Sequence, residues 1–559
     1  MHFFRINIIF LLTKANIRVI FSGDMFVRIK KSGPREYLEL VENRREGKKV
    51  RQRVLLNLGR VDFLKNTEAA SKIVSALAKY SDEIAVISAT KENKRSIAKE
   101  SKQSVEWDKE WGASLVFRKL WRDMGMEKII KSFQKRTRFG FDVERAVFYT
   151  VLHRLLEPGS DLSTSKWLVD IYNDEAGVDA PEIGYHHLLR AMGFIERFKT
   201  EIEEALFVEN RLLFENSMDV VFFDTTSIYF EGDGPEGFAE YGLSKDHRPD
   251  RKQIVVAALM TRSGEPFCCE WWAGNMSDVK TIQDIVDSLK RRFSINRVVL
   301  VCDRGMVSKQ NLAHLKANGI DYIVGVRLRL VKRVREDVLS RGGSYKKVSE
   351  NLKVKEVSLG DERYIICLNP EEAARDAYSR EKIAAELREK IKRSPKELVG
   401  NKGYRRYLKV EKDAVSVDEK RLKEETRFDG KFILTTNTGL SSEEVATTYK
   451  SLWQVEHAFR ALKSVLGVRP IYHRSEAHVK GHVFCSYLAL CLMVRLRKIL
   501  AESGEEAQWD EVIRDLRALR AMKVRISGKS FLFRTELRGA ASKVFRALGI
   551  KAPPSITKL

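Results

Sequence analysis

Long hydrophobic runs are missing from this 559-residue chain. The longest, Val483 to Val494, lies between His482 and Arg495. It falls well short of the ~20 apolar residues that cross a bilayer, so it reads as a buried helix and no membrane partner is expected. Near the start, apolar residues run only from Ile8 to Leu12 before Lys14 and Arg18 interrupt, with no small-residue cleavage site, which argues against a signal peptide. Met25 opens a segment of different character, and residues 1–24 read as a possible upstream extension without assigned function. Cysteine is scarce: six residues, no Cys-x-x-Cys pair, the pattern of reduced, buried thiols in a cytoplasmic protein. Only 11 prolines and a hydrophobic content of 43% exclude a disordered or fibrous chain.

Acidic residues are in deficit. Lys and Arg number 101 against 77 Asp and Glu, a net charge of +24, which points to a polyanionic partner. Nucleic acid leads and an acidic membrane surface comes second. The length predicts about three to four domains. Residues 25–80 are read as a basic β-rich DNA-binding module, because residues 25–60 alternate apolar and charged positions and carry 11 basic residues against 4 acidic ones. Residues 81–110 lack apolar periodicity and read as a linker. A helical domain is expected over 111–214, with DVERAVFYTVLHRLL, STSKWLVDIY and GYHHLLRAMGFIERFKTEIEEALF forming either a plain bundle or a helix-turn-helix.

From residue 218 the period changes to β. MDVVFFDTTSIYF, KQIVVAALMT and EPFCCEWWAGN suggest an antiparallel meander, and the β-β-β-α-β-α-β order that follows predicts a mixed α/β sheet over 215–330. Residues 331–430 read as a β-rich insertion. Residues 431–495 return to the core with the strand KFILTTN and one long helix, capped by Ser441 or Ser442 with Glu444 in support and running to about Leu466. Residues 496–559 form a basic, partly helical C-terminal region with no assignable chemistry.

Asp224 and Asp303 each end an apolar run, VVFF and VVLVC, where a buried strand would place a carboxylate that is costly without a partner. Either alone reads as a turn aspartate; the pair shifts the balance toward a site. In the helix TTYKSLWQVEHAFRALKSVL, Glu456 borders the apolar stripe, and Tyr449, Glu456 and Lys463 fall along one side with Arg460 one turn beyond. The bland alternative is a surface Glu456–Arg460 pair. Three converging carboxylates without cysteine or clustered histidine suit a hard divalent cation, Mg²⁺ with Mn²⁺ as substitute. Two such ions bridged by an aspartate fit in-line displacement at phosphorus.

These motifs, VVFFDTTSIYF, VVLVCDRGM and YKSLWQVEHAFRALKSVLGVRPIYH, resemble the DDE transposases of bacterial insertion sequences over roughly residues 215–495. In a large subgroup the glutamate helix reads Tyr-x2-Arg-x3-Glu-x6-Lys; Tyr449, Glu456 and Lys463 match, and Leu452 stands at the arginine position. The resemblance implies an RNase H-like fold in which the β-rich insertion separates the second aspartate from the glutamate. It implies that Asp224, Asp303 and Glu456 are catalytic and hold two metal ions, and that Tyr449 and Lys463 contact transposon-end DNA. Lys450 or Arg460 would substitute for the missing arginine. The partners implied are double-stranded transposon-end and target DNA and a homodimer or higher oligomer in the synaptic complex, with nucleoid association when DNA is bound. The activity implied is binding of terminal inverted repeats, metal-dependent cleavage and strand transfer. A nuclease without strand transfer and an inactive DNA-binding repressor are the alternatives.

Three weaker signals are set aside. GDGPEG, Gly232 to Gly237, is too acidic for a pyrophosphate loop. His473, His478 and His482 lack a fourth zinc ligand and suit phosphate contact or packing. Cys302 falls inside a buried strand, where thiols are inert.

Overall fold

The computed structural model describes residues 10–11, 18–20, 25–46, 49–62, 104–172, 182–210, 219–293, 298–306, 308–393, 406–411, 414–526 and 529–559. The chain forms two compact units: one from residues 1–107, 522–534 and 554–559, the other from 108–521 and 535–553. Among the described residues no helix is long and apolar enough to cross a membrane.

The first unit contains a five-stranded sheet in sequential order, β1 (Phe10–Leu11), β2 (Arg18–Ile20), β3 (Met25–Ser32), β4 (Arg35–Glu46) and β5 (Lys49–Arg60). The β3–β4 hairpin closes through Gly33, whose φ of 60° is the left-handed conformation such a turn requires. Register shifts at Leu38/Glu39 and Leu40/Val41 bend β4 against β5. Part of the basic charge is internally compensated, since Glu39 accepts from Arg28 at 3.0 Å and lies 3.8 Å from Lys30. Of the expected linker, residues 81–103 lie outside the described residues. Ser104–Glu110 departs from that expectation: it forms β6, which pairs with β18 (Arg520–Ile526) and continues into β19 (Lys529–Arg534) and β20 (Ile556–Lys558). In SVEWDKE only the first part, SVEWD, alternates polar and apolar positions, and the strand forms because a partner from the far end of the chain completes its hydrogen bonds.

The second unit is built on a nine-stranded mixed sheet. Its strands are β7 (Asp219–Tyr229), β8 (Gln253–Thr261), β9 (Pro266–Ala273), β10 (Val298–Cys302), β11 (Asp321–Val326), β12 (Lys346–Ser349), β13 (Leu352–Leu359), β14 (Glu362–Leu368) and β17 (Lys431–Thr436). They are ordered β12-β13-β14-β17-β11-β10-β7-β8-β9. The meander β7-β8-β9 is antiparallel, and β10 and β11 add in parallel on its other side. The expected insertion thus contributes β12–β14 to the same sheet. Its remainder holds the 24-residue helix α9 (Pro370–Arg393), a separate hairpin of β15 (Leu408–Glu411) and β16 (Ala414–Val417), and the short helix α10 (Glu419–Glu425).

Strand alternation divides the core in two. Val220, Phe222, Val256, Ala258, Val299 and Val301 join one apolar cluster with the helices α1 (Gly112–Asp123), α2 (Met126–Gln134), α3 (Val143–Leu156), α4 (Asp161–Trp167), α5 (Tyr185–Arg197) and α6 (Lys199–Asn210). Val221, Phe223, Leu259, Leu300 and Cys302 face the opposite layer, α7 (Asp278–Phe293) and α8 (Lys309–Ala317). The described residues of the segment 111–214 therefore share one continuous core with the sheet, and α5 and α3 both pack on the 27-residue helix Glu476–Glu502, which contains the apolar run around Val483.

Helix α3 starts at an Asp142 cap, whose side chain accepts from the Arg145 amide at 3.1 Å. In its first turn Glu144 is fully buried and accepts two bonds from Arg118 on α1, at 2.6 and 3.0 Å, and one from the Trp121 indole at 2.7 Å. Such a pair is specific for the α1–α3 packing and costly to break from one side. Glu144→Ala is expected to destabilise the fold by about 3 kcal/mol, read as a lowered unfolding midpoint in urea, because the Arg118 guanidinium loses its bidentate acceptor.

Candidate active site

The strand β10 pairs with β7 in parallel, Val298 opposite Asp219 through Cys302 opposite Phe223, and stops there. The next residues on the two strands are Asp303 and Asp224, so the register itself puts the two carboxylates side by side. Asp224 ends the apolar run as expected but not the strand: β7 continues to Tyr229, held by its antiparallel ladder to β8, with Asp224 opposite Ala258. Asp303 does end its strand, and Arg304–Met306 makes a short 3₁₀ turn beyond it. By strand alternation Asp224 lies on the face of Phe222, and the following Thr225 lies on the face of α7.

The Asp224 side chain is 17% exposed. Its Oδ1 accepts from the Thr225 amide at 2.7 Å, and the Lys245 ammonium lies 3.7 Å away. Burial raises its pKa to about 6; Lys245 and the Thr225 amide oppose that shift, and the neighbouring Asp303 and Asp278 carboxylates add to it. Lys245 lies 3.4 Å from Asp278 and donates to the Thr225 carbonyl at 2.7 Å and hydroxyl at 2.8 Å, while the Thr225 hydroxyl donates to Asp278 at 2.6 Å. Asp278 and Lys245 escaped the sequence reading. Asp278 looks like an ordinary first-turn aspartate of α7, and Lys245 sits in a polar loop with no periodicity; only the fold joins them to Asp224.

The predicted glutamate helix is interrupted. α11 (Ser442–Lys450) begins at the expected capping box, Ser441 with Glu444. At Ser451 the hydroxyl bonds back to the Thr447 carbonyl, and the amides of Leu452, Gln454 and Val455 switch to partners three residues back. This 3₁₀ connection separates α11 from α12 (Trp453–Arg460), which loosens into a π turn over Ala461–Val465. The one continuous helix expected is therefore two helices joined by a 3₁₀ turn. Tyr449 turns inward: its hydroxyl donates to Asp303 Oδ1 at 3.2 Å, its ring stacks on Phe432, and burial together with Asp303 pushes its pKa well up. Gly325 on β11 makes room, since a Cβ there would stand 2.5 Å from the Tyr449 hydroxyl. Lys463 also turns inward and donates to Asp246 at 2.9 Å. Leu452 is 5% exposed and belongs to the main core.

Glu456 is exposed on α12, which packs on β7 and β8, and its carboxylate has no hydrogen bond or ion pair among the described residues. Lys450 and Arg460 are exposed as well. The fold thus brings Asp224, Asp303 and Tyr449 together, sets Glu456 on a helix packed against the strand that carries Asp224, and leaves Lys450 and Arg460 open to solvent.

A second cluster, Glu203, Cys268 and Glu270, has metal-like spacing. Its carboxylates are already neutralised: Lys199 lies 3.0 Å from Glu203 and 3.1 Å from Glu270, and Arg292 reaches them at 2.6 and 2.7 Å. It is a buried ion network joining α6, α7 and β9. Two of the three histidines have protein partners: His473 lies 3.3 Å from Asp161, and the buried His482 contacts Arg154 and the Val468 carbonyl. Cys302 is buried, with its thiol pKa raised by burial. Gly232, Gly234 and Gly237 adopt left-handed turns of a loop, as expected.

A family model described as transposase DDE domain matches residues 215–492, and one described as IS1634 family transposase, N-terminal domain matches residues 27–92. The chain belongs to the DDE transposases of insertion sequences. Among solved structures it is similar to the piggyBac transposase in a cryo-EM synaptic complex with hairpin DNA, at 9% identity and a TM-score of 0.36, covering 75% of this chain and 82% of that one. No curated protein matches.

The raised Asp224 pKa has a consequence for stability. Unfolded, the carboxyl titrates near ~3.9; folded, at about 6. Ionising it therefore opposes folding, a cost absent below pH 4, growing between pH 4 and 6 and complete above. In chelator, Asp224→Asn is expected to be more stable than the wild type by about 2 kcal/mol at pH 8, with the difference vanishing at pH 4; urea unfolding at both values checks it, and a pH-independent difference would contradict it.

Proposed function

We propose that this transposase binds the terminal inverted repeats of its element, cleaves DNA at the ends and joins the 3′ ends to target DNA, with Asp224, Asp303 and Glu456 as the catalytic carboxylates. The observation that carries this reading is the β7–β10 register, which sets Asp224 and Asp303 on adjacent strands beneath the helices that carry Tyr449 and Glu456. The strand order β9-β8-β7-β10-β11, an antiparallel meander extended by two parallel strands, supports an RNase H-like core.

The donor set suits Mg²⁺: oxygen only, partly open, and already attracting one cation, the Lys245 ammonium. Asp224, Asp303 and Glu456 would hold two ions, which supply activation of water or a 3′-hydroxyl and stabilisation of the leaving oxygen at phosphorus. The chain's own contribution is position. Thr225 and Lys245 fix the Asp224 oxygens, and the Tyr449 hydroxyl fixes one oxygen of Asp303. The exposed Lys450 and Arg460, on either side of the α11–α12 break, are suited to phosphates of the bound end, and the basic ribbon β3–β5 adds sequence-independent affinity. Leu452, buried in the core, makes no phosphate contact. Two DNA ends and their target imply a dimer or larger synaptic assembly, and work on chromosomal DNA implies a cytoplasmic, nucleoid-associated protein.

The test uses the DNA flanking the gene as substrate, with Mg²⁺ present or chelated. The wild type is expected to cleave at a terminal repeat only with the metal. Asp224→Asn and Glu456→Ala are expected to lose at least roughly 10²-fold in rate while binding the ends as tightly. End binding without cleavage by the wild type would favour a repressor, and cleavage without joining of pre-cut ends to supercoiled target would favour a nuclease.

A further inference from the structure

Lys463 is the last residue of the signature that marks the glutamate helix, yet it does not face a groove. Its side chain is 11% exposed, and its ammonium is shared with Asp246, itself 6% exposed, at 2.9 Å. Arg469 adds a second cation 3.5 Å from the same oxygen, and the other Asp246 oxygen is buried without a hydrogen bond among the described residues. Taking such charges out of water costs several kcal/mol, and what a buried pair returns is a fixed position. The position fixed here is that of the loop between β7 and β8. His247, next in sequence, is held at φ 56°, a conformation unfavourable for a residue with a Cβ, so the surrounding contacts over-determine the loop. On the other side of Asp246 stands Lys245. Its amide donates to Ser227 at 2.8 Å, and its ammonium reaches Thr225, Asp224 and Asp278. A Cβ on Gly242 would strike the Gly274 carbonyl, and one on Gly274 the Gln253 and Glu240 carbonyls, so the loop's entry is closely packed against the backbone just beyond β9.

We propose that Lys463 is a positioning residue: through Asp246 it holds Lys245 against Asp224 and Asp278, and Lys245 is the resident counter-charge of the carboxylate site. The signature then works from both ends on the same site. Tyr449 fixes Asp303 directly, and Lys463 fixes the partner of Asp224 through one intermediate residue, leaving DNA phosphates to exposed cations such as Lys450 and Arg460. The link from Lys463 to Lys245 stands on geometry alone; its effect on metal binding rests on the reading of Asp224 given above.

The test compares the full-length wild type with Lys463→Met, Lys463→Arg, Asp246→Asn, Lys245→Gln and the Lys245→Gln/Lys463→Met double variant, each verified as folded by circular dichroism. Asp246→Asn breaks the link from the side that no DNA contact would explain, and keeps the question open to measurement should Lys463→Met fail to fold. Hydrogen exchange over residues 241–252 is expected to rise severalfold in Lys463→Met and Asp246→Asn and to stay near wild type in Lys463→Arg. Mn²⁺ binding without DNA at pH 8 is expected to tighten roughly threefold or more in Lys245→Gln, because a competing positive charge is gone. Lys463→Met should shift it in the same direction, and the double variant no further than Lys245→Gln, the non-additivity of residues acting through one another. Affinity for end DNA and its salt dependence should not change in Lys463→Met. A salt slope reduced by about one, with loop exchange and Mn²⁺ affinity as in the wild type, would overturn the proposal and make Lys463 a phosphate contact. A wild type that binds neither Mn²⁺ nor end DNA would reject the reading of the site, while loop exchange would still decide the link.

Discussion

The parallel pairing of β10 with β7 is the constraint on which the site depends. Parallel strands cannot be joined by a tight turn, so the chain must travel through β8, β9 and α7 before β10 can add beside β7. That crossover puts Asp278 at the start of a helix on one face and leaves Asp224 and Asp303 level with each other where the shorter strand ends. A shift of one residue in this register would turn one carboxylate to the opposite face. The apolar residues that precede them, Val221 to Phe223 and Val299 to Cys302, are fully packed and hold the register in place.

Concentrating negative charge at the end of a buried sheet has an electrostatic cost, and the fold meets it with cations from elsewhere in the sequence. Lys245 lies against Asp224 and Asp278, and Lys463 and Arg469 against Asp246. The compensation is incomplete at Asp224, whose pKa remains raised. The main cause is burial, and an ion bound as proposed would offset it by adding positive charge beside the buried carboxylate. The Glu203 network shows the contrast: Lys199 and Arg292 each pair with both of its carboxylates.

Much of this was legible in the sequence because it is local. The change of period at residue 218, the apolar runs before Asp224 and Asp303, and the Ser441 cap each follow from a few neighbouring residues, and each has its counterpart in β7, β10 and α11. What could not be read depends on contacts between distant segments. The break at Ser451, where the hydroxyl bonds back to Thr447, and the partners of Tyr449 and Lys463, Asp303 and Asp246, lie outside what a uniform helical wheel can show. Asp278 and Lys245 became part of the site through a crossover and a loop, and β6 became a strand through residues some 400 positions later, on the order of the longest separations a chain of this size allows. Strands β12–β14 joined the central sheet because β17 returns to lie between β14 and β11, a pairing that no local pattern announces.

The most direct test of the account is a crystal structure of the protein soaked in Mn²⁺, with the ion located by anomalous scattering. The expected result is density between Asp224 and Asp303, lost in Asp224→Asn, with the Glu456 carboxylate turned toward it. Manganese at the Glu203–Glu270 network, or none beside Asp224 and Asp303 at millimolar concentration, would contradict the assignment of these carboxylates as the catalytic centre.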